Sequence, residues 1–112
     1  MASSPYVFDV SEQTFPQHVL DASHDVPVMV DFWAPWCGPC RMMGPVLHEL
    51  AGELDGSARI AKVNVDEAPH LSARFRIQAI PLLIVLRDGQ EVARLVGLQS
   101  KESLRQAISA AK

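Results

Sequence analysis

Cysteine is nearly absent: this chain of 112 residues has two, Cys37 and Cys40, with two residues between them. A structural disulfide framework needs more cysteines, spread more widely, and is excluded. No second cysteine pair exists, and His18, His24, His48 and His70 show no ligand spacing, so a zinc site lacks its other half. Positive charge is short as well. Ten Lys and Arg against thirteen Asp and Glu leave a net charge of −3, which points to neither a nucleic acid nor a membrane partner. The longest apolar runs, residues 26–33 and 80–86, are far too short to span a bilayer. Met1-Ala2-Ser3-Ser4-Pro5 has no basic region followed by an apolar stretch, so no secretory signal is expected and the protein reads as cytoplasmic. Repeats, low-complexity tracts and linkers are missing too, and a single domain over residues 1–112 is expected.

What is present is a regular alternation of strand and helix patterns. Residues 6–9 form a short apolar stretch read as a first strand. Thr14-Phe15-Pro16-Gln17 predicts a helix start, with Thr14 as N-cap, Gln17 completing a capping box and Pro16 in the first turn. Residues 28–33 are apolar on both faces, as in a central buried strand. Met43, Val46, Leu47, Leu50 and Leu54 recur at helical spacing, and Pro45 inside that helix is expected to kink it. Residues 59–65 read as a strand and 66–75 as a short helix, with Asp66 as candidate N-cap and Pro69 in its first turns. Asp88-Gly89 between residues 82–86 and 91–96 predicts a tight antiparallel hairpin. Ser100 then caps a last helix with Leu104, Ala107, Ile108 and Ala111 on one stripe. The order β-α-β-α-β-α-β-β-α implies an α/β fold, a mixed sheet covered by helices on both faces.

Both cysteines follow the buried strand and open the long helix. A thiolate is a far better nucleophile than a thiol, and the free N–H groups and positive dipole end of a helix N-terminus favour the thiolate. Cys37 sits at that position, and Cys40, one turn on, lies close enough to close a small disulfide ring. Asp31 breaks the apolar strand. A buried carboxylate is costly unless paired or protonated, while a strand-end Asp facing solvent is unremarkable, and periodicity alone leaves both readings open.

The segment Trp33-Ala34-Pro35-Trp36-Cys37-Gly38-Pro39-Cys40-Arg41 resembles the active-site segment of the thioredoxin family. Val30-Asp31-Phe32-Trp33, Pro45, Lys62, Ile80-Pro81, Gly89 and Gly97 also fall where that family has them, so the resemblance covers nearly the whole chain. It implies a thioredoxin fold, a central mixed five-stranded sheet flanked by four α-helices on both faces. It also implies a protein-disulfide reductase with Cys37 as nucleophile and Cys40 as resolving cysteine. The family's buried Asp beneath the second cysteine matches Asp31, which becomes the proton acceptor for Cys40, and Lys62 matches the lysine that modulates it. Pro81 matches a cis-proline facing the cysteine pair, with the Ile80 main chain free to pair with an extended target segment. Trp36, Gly38, Pro39 and Gly97 complete the target-contact surface, and Gly-Pro between the cysteines goes with reducing behaviour.

No bound cofactor is implied. Reducing equivalents are expected from NADPH through a separate thioredoxin reductase, the targets are proteins with disulfides, and a monomer is the default. Two other functions compete. A redox-independent interaction or co-chaperone module has no need of Cys37, Cys40, Asp31 and Pro81 together. An oxidase or isomerase is disfavoured by the Gly-Pro pair and by the lack of a signal. Leu82, where the family commonly has Thr after the proline, and Ala79, where glycine is frequent, depart from the pattern and bear on target preference.

Overall fold

In the computed structural model, which describes residues 4–112, one five-stranded sheet forms the centre. The segment read as free of a signal falls partly on residues 1–3, outside the described residues. The strands are β1 (Val7–Asp9), β2 (Val28–Trp33), β3 (Arg59–Asn64), β4 (Leu82–Arg87) and β5 (Gln90–Val96), and their order across the sheet is β1-β3-β2-β4-β5. β1 and β2 run parallel to β3, whereas β4 is antiparallel to β2 and β5 to β4. The mixed sheet follows from the connections. A parallel pair needs a helical crossover, supplied between β2 and β3 by α1 (Gly38–Leu54), while Asp88 (φ 55°) and Gly89 (φ 77°) make the two-residue turn that an antiparallel hairpin allows.

Side chains alternate along β2, so one strand serves two cores. Val28, Val30 and Phe32 join Phe15, Val19, Leu71, Phe75 and Ile84 on one face. Met29 joins Met43, Leu47, Leu50, Leu83, Leu104 and Ile108 on the other, beneath α1 and α3 (Lys101–Ala110). Asp31 shares the face of Met29. Its neighbours across the sheet are Lys62 of β3 and Leu83 of β4.

The helix starts differ from expectation in two places. Thr14 does not cap Gln17. Ser11 and Thr14 cap each other instead, the Ser11 N–H donating to Thr14 Oγ1 at 3.0 Å and the Thr14 N–H to Ser11 Oγ at 3.3 Å. The segment beyond is wound as a π-helix over Pro16–Asp21 and a 3-10 turn over Ala22–His24 rather than as an α-helix. Nor is Asp66 an N-cap. Asn64 caps a 3-10 turn over Val65–Glu67, and the next helix, α2, spans only Pro69–Arg74. The orphan N–H of Leu71 in its first turn is met by Glu12, 59 positions away in sequence, at 3.0 Å. Ser100 caps α3 as expected, accepting from the Ser103 N–H at 3.1 Å. Pro45 lies inside α1, which continues on both sides of it.

Candidate active site

The chain leaves β2 at Trp33, crosses Ala34-Pro35-Trp36, and enters α1 at Gly38. Cys37 is the N-cap, with extended backbone (φ −91°, ψ 109°), and its sulfur takes the place usually held by a Ser or Asp oxygen. The Cys40 N–H points at Cys37 Sγ over 3.2 Å. Pro39 follows Gly38 in the first turn, where its missing N–H leaves no orphan donor. Cys37 and Cys40 are joined by a disulfide, their Cα atoms 5.3 Å apart, so the structure is that of the oxidised protein. Both are buried, packed with Ala34 and flanked by Trp33 and Ile80.

Beneath α1, Asp31 is 1% exposed, and neither carboxylate oxygen accepts a hydrogen bond from the protein. Burial pushes its pKa up to about 7, against the pull of the Lys62 charge, which lowers it. Lys62 and Asp31 are register neighbours, yet no ion pair within 4.0 Å joins them. The Lys62 Nζ instead lies 4.9 Å from the centre of the Trp33 ring, a cation–π contact. Lys62 therefore acts on Asp31 through its field and not as a direct partner.

The wall facing the cysteines comes from the loop before β4. The Ile80–Pro81 peptide is cis, and the Ile80 carbonyl oxygen lies 3.9 Å from Cys37 Sγ. Gly97 is tied to that loop, its N–H donating to the Pro81 carbonyl at 2.8 Å. Its φ of 84° suits glycine, and the space above it is open. Trp36 is 69% exposed, and its indole N–H donates to the Asp66 carboxylate at 3.1 Å. A groove of about 260 Å³ runs beside it, lined by Trp36, Val65, Ser72, Ile77, Gln78, Ala79 and Ile80. Leu82 is buried in the β4 core and stands outside this lining, whereas Ala79 forms part of it.

Of the expected site residues, Trp36 precedes the cysteines and Gly38 and Pro39 lie between them, the Ile80 carbonyl reaches Cys37, Pro81 follows Ile80, and Gly97 is bonded to Pro81. Asp31 and Lys62 stand opposite each other on one face of the sheet. Sequence reading missed Asp66 as the partner of Trp36, and Ser72, Ile77 and Gln78 as groove lining. Asn64-Val65-Asp66, an Asx turn by composition, was the available hint that the Asp66 side chain is free to bond elsewhere. Among the described residues no three or more His, Cys, Asp or Glu side chains cluster as a metal site, and no helix is long and apolar enough to cross a membrane.

A cysteine pair that opens a helix just after a buried strand, which itself carries a desolvated carboxylate, is the arrangement of a dithiol–disulfide exchange centre. Comparison with known proteins agrees. The family model described as Thioredoxin matches residues 6–110. "Thioredoxin 1" of Nostoc sp. is 48% identical over 99 residues, covering 88% of this chain and 91% of that protein. "Thioredoxin" of Synechocystis sp. is 42% identical over 104 residues (93% and 92%), and "Thioredoxin" of Staphylococcus saprophyticus is 55% identical over 80 residues (71% and 77%). The chain belongs to the thioredoxin family. It is a protein-disulfide oxidoreductase whose substrates are disulfide-bearing partners and whose reactive group is the Cys37–Cys40 pair.

Proposed function

We propose that this protein, a single thioredoxin domain over residues 1–112, reduces target disulfides with Cys37 as nucleophile and Cys40 as resolving cysteine. The observation that carries the assignment is the Cys40 N–H aimed at Cys37 Sγ from the start of α1. In the reduced protein the same donor and the helix dipole stabilise a Cys37 thiolate, while Cys40, one turn inside the helix, lacks that position. The thiolate attacks one sulfur of a target disulfide. A Cys37–target bond forms, the target S–S bond breaks, and the departing target sulfur is protonated. Cys40 then loses its proton to Asp31, directly or through a water, and attacks Cys37 Sγ. The ring closes, the mixed disulfide breaks, and the target leaves with two electrons more.

Burial raises the Asp31 pKa and the charge of Lys62 pulls it part of the way back, so that the carboxyl changes state near neutral pH. Trp36, Gly38, Pro39, Pro81 and Gly97 form the surface on which a target segment lies, and the Ile80 main chain pairs with it as an added strand. Reducing equivalents come from NADPH through a separate thioredoxin reductase, with no cofactor held by this chain. It works as a monomer in the cytoplasm. The test is trapping: Cys40→Ser should accumulate mixed disulfides with protein targets and Cys37→Ser should not. Equal trapping by both variants would overturn the assignment of roles.

A further inference from the structure

The groove wall opposite Trp36 is irregular chain, residues 76–81, and something must hold it. β5 carries a bulge: the register with β4 shifts between Val85 and Leu86, so that Ala93 faces Val85 while Glu91 faces Leu86. In an even strand, residues three apart point to opposite faces; the extra residue, Val92, brings Glu91 and Arg94 onto the same one. There Arg94 makes a fork to Glu91, Nε to Oε2 and Nη2 to Oε1, both at 2.9 Å. The same Nη2 donates to the Phe75 carbonyl at 2.8 Å. Phe75 ends α2, where carbonyls without helical partners collect, and it is the last residue before the wall. Its ring is already fixed between Phe15 and Phe32, at centroid distances of 5.7 and 5.6 Å. From that anchor the chain turns through Arg76, at φ 53°, into Ile77, Gln78, Ala79 and Ile80, all groove lining.

We infer that Arg94, held by Glu91 across the bulge, is a positioning residue for target binding: it clamps the end of α2 and so sets where the groove wall stands. The inference rests on the proposed reductase reading of the site. Arg94 is not among the residues that line the groove, and its hydrogen bonds go to Glu91 and Phe75, so it acts through the placement of the wall. Its charge-assisted bond to a main-chain carbonyl is among the stronger contacts available at a half-exposed position.

The experiment compares two substrates in the full-length protein. Insulin presents its disulfides with polypeptide on either side that can reach the wall, whereas the small aryl disulfide dithiobis-nitrobenzoate has no chain to place there. Arg94→Ala should raise the KM for insulin by about three- to tenfold with kcat nearly unchanged, and leave the rate with the aryl disulfide and the reduction potential as they were. Arg94→Lys keeps one donor and should recover part of the KM. Glu91→Gln, which frees the guanidinium but leaves its bond to Phe75 possible, should fall between Arg94→Ala and the natural protein. Equal loss on both substrates, a fall in kcat at constant KM, or no change on insulin would overturn the inference. Absence of insulin reduction by the natural protein would instead strike the reductase reading itself.

Discussion

Asp31 carries the sharpest consequence at the scale of one residue. Its carboxyl titrates near 3.8 when exposed and near 7 when buried in the fold. Below the lower value both states are protonated and burial adds no charge penalty. Between about pH 4 and about pH 7 the unfolded chain releases a proton that the folded chain keeps, so this group lowers stability as pH rises. Above that window the full penalty applies, on the order of 4 kcal/mol for a shift of this size. Asp31→Asn removes the titration. Urea unfolding should show the variant gaining on the natural protein by up to about 4 kcal/mol between pH 4 and pH 8, whatever its baseline at pH 4. A flat difference would mean that the carboxyl is not desolvated as described. The same substitution should slow release from the mixed disulfide above pH 7, where Asp31 is an ionised base, and change little below pH 5. Strand periodicity showed Asp31 only as an anomaly, and it was the family resemblance that pointed to a buried carboxyl. Whether it faced solvent or core depended on which helix covers that face of β2, and that is decided by the packing of α1 and α3.

At the scale of elements, strands and long helices were legible because their periodicity is local, and caps were not when the capping group is remote. Ser100 caps α3 from the adjacent position and could be read directly. Glu12 caps α2 across 59 positions, and no spacing rule reaches that far. The π-wound first helix failed differently: Ser11 and Thr14, only three residues apart, cap each other upstream of the equally local pair the pattern favoured. The end of α2 offers a direct test. Arg76 stands at φ 53°, with its N–H on the Ala73 carbonyl at 3.1 Å and the Ile77 N–H on Ser72 at 3.0 Å, a helix end that glycine fits best. Its side chain is exposed and is not part of the groove lining beside Trp36. Arg76→Gly should stabilise the fold by about 0.5–1 kcal/mol, because relief of left-handed strain exceeds the extra freedom glycine gives the unfolded chain. A fall in the urea midpoint would show that the Arg76 side chain contributes something beyond its conformation.

For the whole molecule, folding and redox chemistry are one cycle. Alternating strands and helices with a terminal hairpin already implied the layered sheet, and Cys-Gly-Pro-Cys its reactive end. Of the groove wall, the resemblance pointed to Ala79, Ile80 and Pro81, while Ile77 and Gln78 were not legible, because this segment has no period and Phe75, Arg94 and Gly97 reach it from elsewhere. The Cys37–Cys40 ring restricts the unfolded chain, and even so short a loop should make the oxidised protein more stable than the reduced one by about 2 kcal/mol. Closing the cycle, that same free energy must lower the reduction potential of the pair in the folded protein by about 40 mV relative to the pair in the unfolded chain. The fold thereby makes the dithiol a better reductant. Stabilisation of a Cys37 thiolate at the start of α1 acts in the opposite sense, favouring the reduced form. Urea unfolding of the oxidised and reduced forms, beside equilibration against glutathione, measures both arms of the cycle. A reduced form more stable than the oxidised one would mean that ring closure costs the folded chain more than it restricts the unfolded one.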